Sequence, residues 1–294
     1  MTSLDALILG IVEGITEYLP VSSTGHLILV SRWLGLATTE EARKSIDTFN
    51  IVVQGAAVLA VAGLYRRDVF AMLRALLIVA RILRPTPMYW RHVQLARNLF
   101  LSFIPAAIIG LLLDDWFEAH FFAPVPVLGA LALGGIVMIA IGPWVRKRAR
   151  DTTGAGLDGA TLTIPAALGI GLMQCVALIP GTSRSMMTIL GSLMTGMSPR
   201  DAAKYSFLLA LPTLGSACLY KSYGLWKTGG MLEQLGGWGP VSIGMIAALV
   251  SAALSVKWLI GYLGKGGISL FGWWRVLLAA VLGLGLWQGW LSLA

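Results

Sequence analysis

A succession of apolar segments of roughly span length governs what this chain can fold into. They lie near residues 48–64, 98–113, 125–145, 202–220, 241–260 and 270–291. A helix needs about 20 mostly apolar residues to cross a bilayer. Backbone groups inside hydrocarbon must find partners within their own segment, which restricts such segments to helices. Charged residues make up 12% of the 294, about half the share of an ordinary soluble domain. The expectation is an all-α polytopic membrane protein with six transmembrane helices.

Two further apolar segments are interrupted. The first, 4–34, is divided by Pro20 and by Ser22-Ser23-Thr24-Gly25. Proline removes an amide donor and blocks helix continuation, and the serines can cap a new helix. The second, 162–194, is divided by Pro180-Gly181-Thr182-Ser183-Arg184-Ser185. Each predicts a re-entrant helix hairpin, because broken backbone at membrane depth survives only in protein or beside a wet cavity.

The order of elements repeats. A hairpin and three spans fill 1–150, and a hairpin and three spans fill 151–294. Ala6–Glu13 can be set against Ala167–Gln174, and Gly63-Leu64-Tyr65-Arg66 against Cys218-Leu219-Tyr220-Lys221. Three spans invert the second half relative to the first, the pattern of an inverted-topology repeat with its site at the repeat interface. One membrane domain results.

Connections are expected at 36–48, at the acidic, aromatic loop Asp114–Glu118, and at the Gly-rich linker 151–160. Arginines at 66, 67, 74, 81, 84, 91 and 97, with apolar residues between Val69 and Leu83, predict an interfacial amphipathic helix. It is followed by a Pro85-Thr86-Pro87 turn. That cluster and Arg146–Arg150 fall on one side, which positive-inside logic makes cytoplasmic. The first hairpin then enters from outside and the second from the cytoplasm. The N-terminal segment shows no basic leader region and is expected to be retained. The net charge of +8 fits topology and anionic lipid; no basic stripe interleaved with aromatics suggests nucleic acid. Cys175 and Cys218 sit in apolar segments at no metal or disulfide spacing.

The chemistry is concentrated in the interruptions. Glu13 and Glu17, four apart, share one helix face and repel unless a cation or proton intervenes. Mg2+ or Ca2+ suits them, with phosphate oxygens as further ligands. Ser22, Ser23, Thr24 and Gly25 open a helix, where anions are favoured. His26 can act as acid or base. Ser23 is either a nucleophile activated by His26 or Glu17, or a phosphate ligand. Arg184, between Ser183 and Ser185 and after Gly181, is suited to reading a phosphate bidentately. In a free state it can pair instead with Glu13 or Glu17. Thr188, one turn on, adds a hydroxyl. This equipment suits phosphoryl transfer or hydrolysis on a lipid phosphate that reaches the site from the bilayer.

At these residues the chain resembles the undecaprenyl-diphosphate phosphatase family of the bacitracin-resistance type. The similarity rests on Glu13-x-x-x-Glu17, on Leu19–His26 and on Pro180–Ser185. It is supported by Phe49–Gln54, Phe207–Pro212 and Phe271-Gly272-Trp273-Trp274-Arg275. It implies hydrolysis of undecaprenyl diphosphate to the monophosphate and inorganic phosphate, recycling the lipid carrier of cell-wall synthesis. It implies the bacterial cytoplasmic membrane, a site open to the outer face, a divalent cation and a homodimer. Glu13 and Glu17 would be the acidic motif, His26 and Ser23 the catalytic pair, and Arg184 the diphosphate anchor. Met186 and Met187 stand where the family usually has Gly-Ala, which predicts altered packing behind the loop. The rival class is a transporter or flippase of a polyprenyl phosphate, since inverted repeats and broken helices also build transporters.

Overall fold

The computed structural model of the chain describes residues 1–36, 39–82, 87–121, 123–151, 157–228, 235–265 and 267–289. Among these there are eleven helices. They are α1 Ser3–Thr16, α2 Ser23–Trp33, α3 Glu40–Leu64, α4 Arg66–Val79, α5 Pro87–Phe121, α6 Pro124–Asp151, α7 Ile164–Val176, α8 Arg184–Met194, α9 Pro199–Thr228, α10 Trp238–Leu263 and α11 Ser269–Trp287. Six of them, α3, α5, α6, α9, α10 and α11, are long and apolar enough to cross a membrane. The chain is a multi-pass membrane protein. Its outer surface carries bare Leu111, Leu112, Leu133 and Leu254, side chains suited to lipid rather than water.

Helix α1 has 14 residues and α7 has 13. At 1.5 Å per residue each covers about 20 Å, well short of a hydrocarbon core of about 30 Å. Each is followed by a second short helix packed against it, α2 after α1 and α8 after α7. A capping box starts α1: Thr2 accepts from the Asp5 amide at 3.2 Å, and Asp5 accepts from the Thr2 amide at 2.8 Å. Thr163 caps α7 with Pro165 in its first turn, where a missing amide proton costs nothing.

Small residues let the short helices approach the long ones. A Cβ on Gly10 of α1 would lie 2.3 Å from the Gly244 carbonyl oxygen of α10, so both helices are bare at that crossing. Ser251 and Ser255 of α10 donate to the Gly10 and Gly14 carbonyls at 3.4 and 3.0 Å. The other short helix, α7, packs on α5, where Ser102 donates to the Ala167 carbonyl at 2.7 Å. Helices α6 and α11 close a third contact through Gly135 and Gly272.

Two boundaries differ from expectation. Helix α3 begins at Glu40, within the expected 36–48 connection, because Thr39 caps it by accepting from the Ala42 amide at 3.1 Å. Helix α5 runs on through 114–118 to Phe121. That stretch holds no Gly or Pro, and its aromatic pairs sit one turn apart. Trp116 stacks on His120 and Phe117 meets Phe121, with ring centroids 4.9 and 5.7 Å apart. The expected amphipathic helix is α4, which stops where Arg81 turns left-handed at φ 59°. The Pro85-Thr86 part of the following turn, and 152–156 of the expected linker, lie outside the described residues.

Candidate active site

The two hairpin turns have the same backbone shape at the same place. Ser22 precedes α2 with φ 71° and ψ 101°, and Ser183 precedes α8 with φ 76° and ψ 110°. Non-glycine residues avoid this left-handed region, at about 1–3 kcal/mol each. Pro20 and Pro180 end continuous helix upstream of each turn. Gly181, at φ 92°, passes so close to α6 that a Cβ would lie 2.4 Å from the Val127 carbonyl oxygen. The turns therefore deliver Ser23 and Arg184 as the first residues of their helices.

Both residues reach one carboxylate. Arg184 Nη2 donates to Glu17 Oε1 at 2.9 Å, and Ser23 Oγ donates to Glu17 Oε2 at 2.9 Å. Gln54 of α3 donates a third bond to Glu17 Oε2 at 3.2 Å, while its own Oε1 accepts from Cys218 at 3.5 Å. The Arg184 guanidinium also lies 5.5 Å from the Tyr18 ring centre and donates to the Ser206 carbonyl at 3.3 Å. Its Nε has no partner, and neither does buried Glu13 Oε2. Glu13 itself is 1% exposed, and an unsatisfied buried carboxylate oxygen is costly. Asn50, one turn before Gln54 on α3, carries another buried unpartnered oxygen, Oδ1. Among the described residues no three of His, Cys, Asp or Glu cluster together.

The other expected site residues divide. Ser183 Oγ accepts from the Met186 amide at 3.3 Å and caps α8. Ser185 is buried and donates to the Leu19 carbonyl at 3.0 Å, tying one hairpin to the other. Thr188 is buried and engaged with the Arg184 carbonyl at 2.9 Å and Ser206 Oγ at 2.6 Å. Both hydroxyls are engaged within the fold, behind the loop. Thr24 is exposed at the start of α2, and Gly25 packs against Leu131 and Leu278. Met186 and Met187 are buried in the core with Leu190 and Phe207, so their bulk is absorbed behind the loop. His26 bonds neither Ser23 nor Glu17; its ring meets Ser22 O and Trp274.

Arg275 is a residue the chemistry-led reading passed over. It is completely buried in α11, with no ion pair to a carboxylate among the described residues. It donates to the carbonyls of Thr182 and Gly181 at 2.9 and 2.8 Å, and to those of Leu131 and Ala130 at 3.2 and 3.0 Å. Gly134 makes the room, since a Cβ there would lie 2.2 Å from Nη2. An arginine within an apolar span was the available signal. Gln54 and Tyr18 were missed in the same way: each is polar within apolar surroundings.

A separate cavity of about 300 Å3 lies among Asp68, Arg91, His92, Asp158, Asp201 and Lys204. Two ion pairs, Lys204–Asp68 at 3.0 Å and Arg91–Asp158, span it. It shares no residue with the Glu17 cluster.

Known proteins resemble the chain over nearly its whole length. A profile of the family described as bacitracin resistance protein BacA matches residues 6–281. A protein of Sorangium cellulosum named undecaprenyl-diphosphatase is 40% identical over 94% of this chain and 84% of its own length. One of Methylococcus capsulatus with the same name is 40% identical over 97% of this chain and 98% of its own. Undecaprenyl-diphosphatase 2 of Rhodospirillum rubrum is 39% identical over 98% and 96%.

Proposed function

The chain belongs to the bacitracin resistance protein BacA family, and we propose that it hydrolyses undecaprenyl diphosphate to undecaprenyl phosphate and inorganic phosphate. The observation that carries the reading is the convergence of Ser23 and Arg184 on Glu17. Sequence similarity to proteins named for this reaction supports it. The transporter alternative draws no comparable support from those names.

Each residue then has a task. Arg184 is held beside the acid in the free protein and turns its fork, including the unpartnered Nε, to the incoming diphosphate. Ser23 Oγ attacks the terminal phosphorus while Glu17, which already accepts its hydrogen bond, takes the proton. The bond from phosphorus to the bridging oxygen breaks, and its electron pair leaves on undecaprenyl phosphate. Glu17 hands that proton to the departing undecaprenyl phosphate and then deprotonates a water that attacks the phosphoserine; the phosphorus–Oγ bond breaks, phosphate leaves, and Glu17 returns the water's proton to Ser23 Oγ. Gln54 keeps Glu17 oriented throughout.

A divalent cation fits these residues. Glu13 offers an orphaned buried oxygen, and Glu17 lies one turn along the same face, so Glu13 and Glu17 would hold the ion with phosphate oxygens completing its shell. Bound there, Mg2+ or Ca2+ would neutralise charge developing on the phosphoryl oxygens.

The wider reading follows the same lines. The basic ends of α4 and α6 support a cytoplasmic side, with the catalytic cluster open to the outer face of a bacterial cytoplasmic membrane. The packing of α1 on α10 and of α7 on α5 supports two inverted halves, 1–150 and 151–294, each with a re-entrant hairpin. A homodimer belongs to the same proposal and is testable by cross-linking in membranes. The deciding experiment is phosphate release from undecaprenyl or farnesyl diphosphate by purified protein, with and without EDTA. Cation-dependent release is expected; no release with any cation would reject the reading.

A further inference from the structure

We infer that Trp274 and Arg275, neighbours on α11, are positioning residues that hold the two active-site turns in place, Arg275 directly and Trp274 through His26. Its catalytic consequence rests on the hydrolase reading; its geometry does not.

The proton on His26 can be placed from its partners. An indole N–H only donates, and a carbonyl only accepts. Trp274 Nε1 lies 2.7 Å from His26 Nε2, so Nε2 is the acceptor. The neutral ring then carries its proton on Nδ1, which donates to the Ser22 carbonyl at 2.8 Å. The two rings are 12° from parallel, with centroids 6.0 Å apart. Both imidazole nitrogens are thus occupied. In this arrangement His26 is a fixed N–H donor and takes no proton.

The two turns are held by different donors. Ser183 caps its own helix through Oγ, and Arg275 grips the two carbonyls before it, those of Gly181 and Thr182. Ser22, with nearly the same strained dihedrals, makes no side-chain cap bond. The Ser22 carbonyl takes the first amide bond of α2, the His26 ring gives it a second donor, and Trp274 keeps the His26 proton on the nitrogen that donates. Adjacent residues of one helix therefore set the positions of Ser23 and Arg184, the two groups that meet at Glu17. A displacement of about 1 Å at such groups can lower the rate roughly a hundredfold.

Two measurements test the Trp274 arm. The first is the 15N spectrum of histidine-labelled protein in nanodiscs, with the His26 signals identified among three histidines by their loss in His26→Asn. Wild type should show the Nδ1–H tautomer. Trp274→Phe keeps a ring without the donor and should shift the tautomer ratio about fivefold towards Nε2–H, the effect of losing one hydrogen bond. An unchanged ratio in folded Trp274→Phe overturns the inference. The second is turnover of His26→Asn against His26→Ala. The Asn amide nitrogen occupies the place of Nδ1 and can donate to Ser22 but cannot act as an acid or base near neutral pH. His26→Ala should lose roughly a hundredfold in kcat, and His26→Asn should recover to within about tenfold of wild type, with KM changed less than about threefold in both. If His26→Asn is as impaired as His26→Ala, His26 acts by proton transfer and the inference fails. The tautomer spectrum needs no turnover, so an inactive wild type would reject the hydrolase reading while leaving the clamp tested.

Discussion

Glu17 and Arg184 stand 167 residues apart in sequence and 2.9 Å apart in the fold. Their side chains are 5% and 9% exposed, so the pair is shielded from water, and breaking it leaves an uncompensated charge. Glu17 comes from the turn after α1, and Arg184 opens α8. The ion pair is therefore the point at which two separate hairpins become one site.

Replacing Arg184 by Ala should lower kcat roughly a hundred- to a thousandfold, the usual loss when a transition-state charge partner is removed. Arg184→Lys should recover little, because an ammonium cannot reproduce the planar fork between Glu17 and the diphosphate. Steady-state phosphate release from detergent-solubilised protein gives both values. A Lys variant with wild-type kcat would contradict the bidentate role.

Glu13→Gln should weaken the response to added cation by roughly tenfold in half-saturating concentration while retaining turnover at high cation. The unpartnered Glu13 oxygen is the reason, since an amide removes the charge that would attract the ion. Direct ion binding, measured by calorimetry on the folded protein, should weaken in parallel. An unchanged cation response in Glu13→Gln would remove Glu13 from the cation site.

Both interruptions were legible in the sequence because they rest on local chemistry. Pro20 and Pro180 each stand among further turn-forming residues, unlike Pro105, Pro143 and Pro212, which helices carry in their interiors; α1 and α7 end four residues before them, and helices restart at Ser23 and Arg184. The free-state pairing of Arg184 with a glutamate was legible too, since a lone buried charge is intolerable. What could not be read was direction. Ser185 and Thr188 belong to the motif, yet α8 turns them to Leu19 O and Ser206, and the helical phase of a short segment depends on packing. His26 adjoins Ser23 in the motif, but its partner Trp274 lies 248 residues away. The Asp114–Glu118 stretch reads as a polar loop by composition. Helix continues through it because nothing in it breaks helix.

Arg275→Met should destabilise the protein by about 3 kcal/mol or more. Of the four carbonyls that Arg275 reaches, Ala130 and Leu131 keep the amide bonds of α6, but Gly181 and Thr182 would lose their donor, and each buried orphan costs about 1–3 kcal/mol. These two lie in the turn before Arg184, so activity should fall as well. Thermal unfolding in detergent reads the first effect, and Arg275→Lys, with three donors at most, should fall between. A melting point within error of wild type for Arg275→Met would mean that the carbonyls find water instead.

Gly10→Val tests the packing that places Glu17. Helix α1 meets α10 where a Cβ on Gly10 would lie 2.3 Å from the Gly244 carbonyl oxygen, and Gly14 faces Ser251 with no more space. Backbone cannot yield as a flexible side chain can, so α1 must move away from α10. Glu13 and Glu17 move with it, and the bonds of Glu17 to Ser23 and Arg184 are lost together. The expected result is a protein that inserts, melts at lower temperature and has lost most of its turnover. Gly10→Ala should show the same defect to a smaller extent, whereas Gly63→Ala, at a helical glycine with nothing within 4 Å of an added Cβ, should match wild type. Equal, near-normal turnover in Gly10→Val and Gly63→Ala would show that α1 does not depend on this contact to hold Glu17 in place.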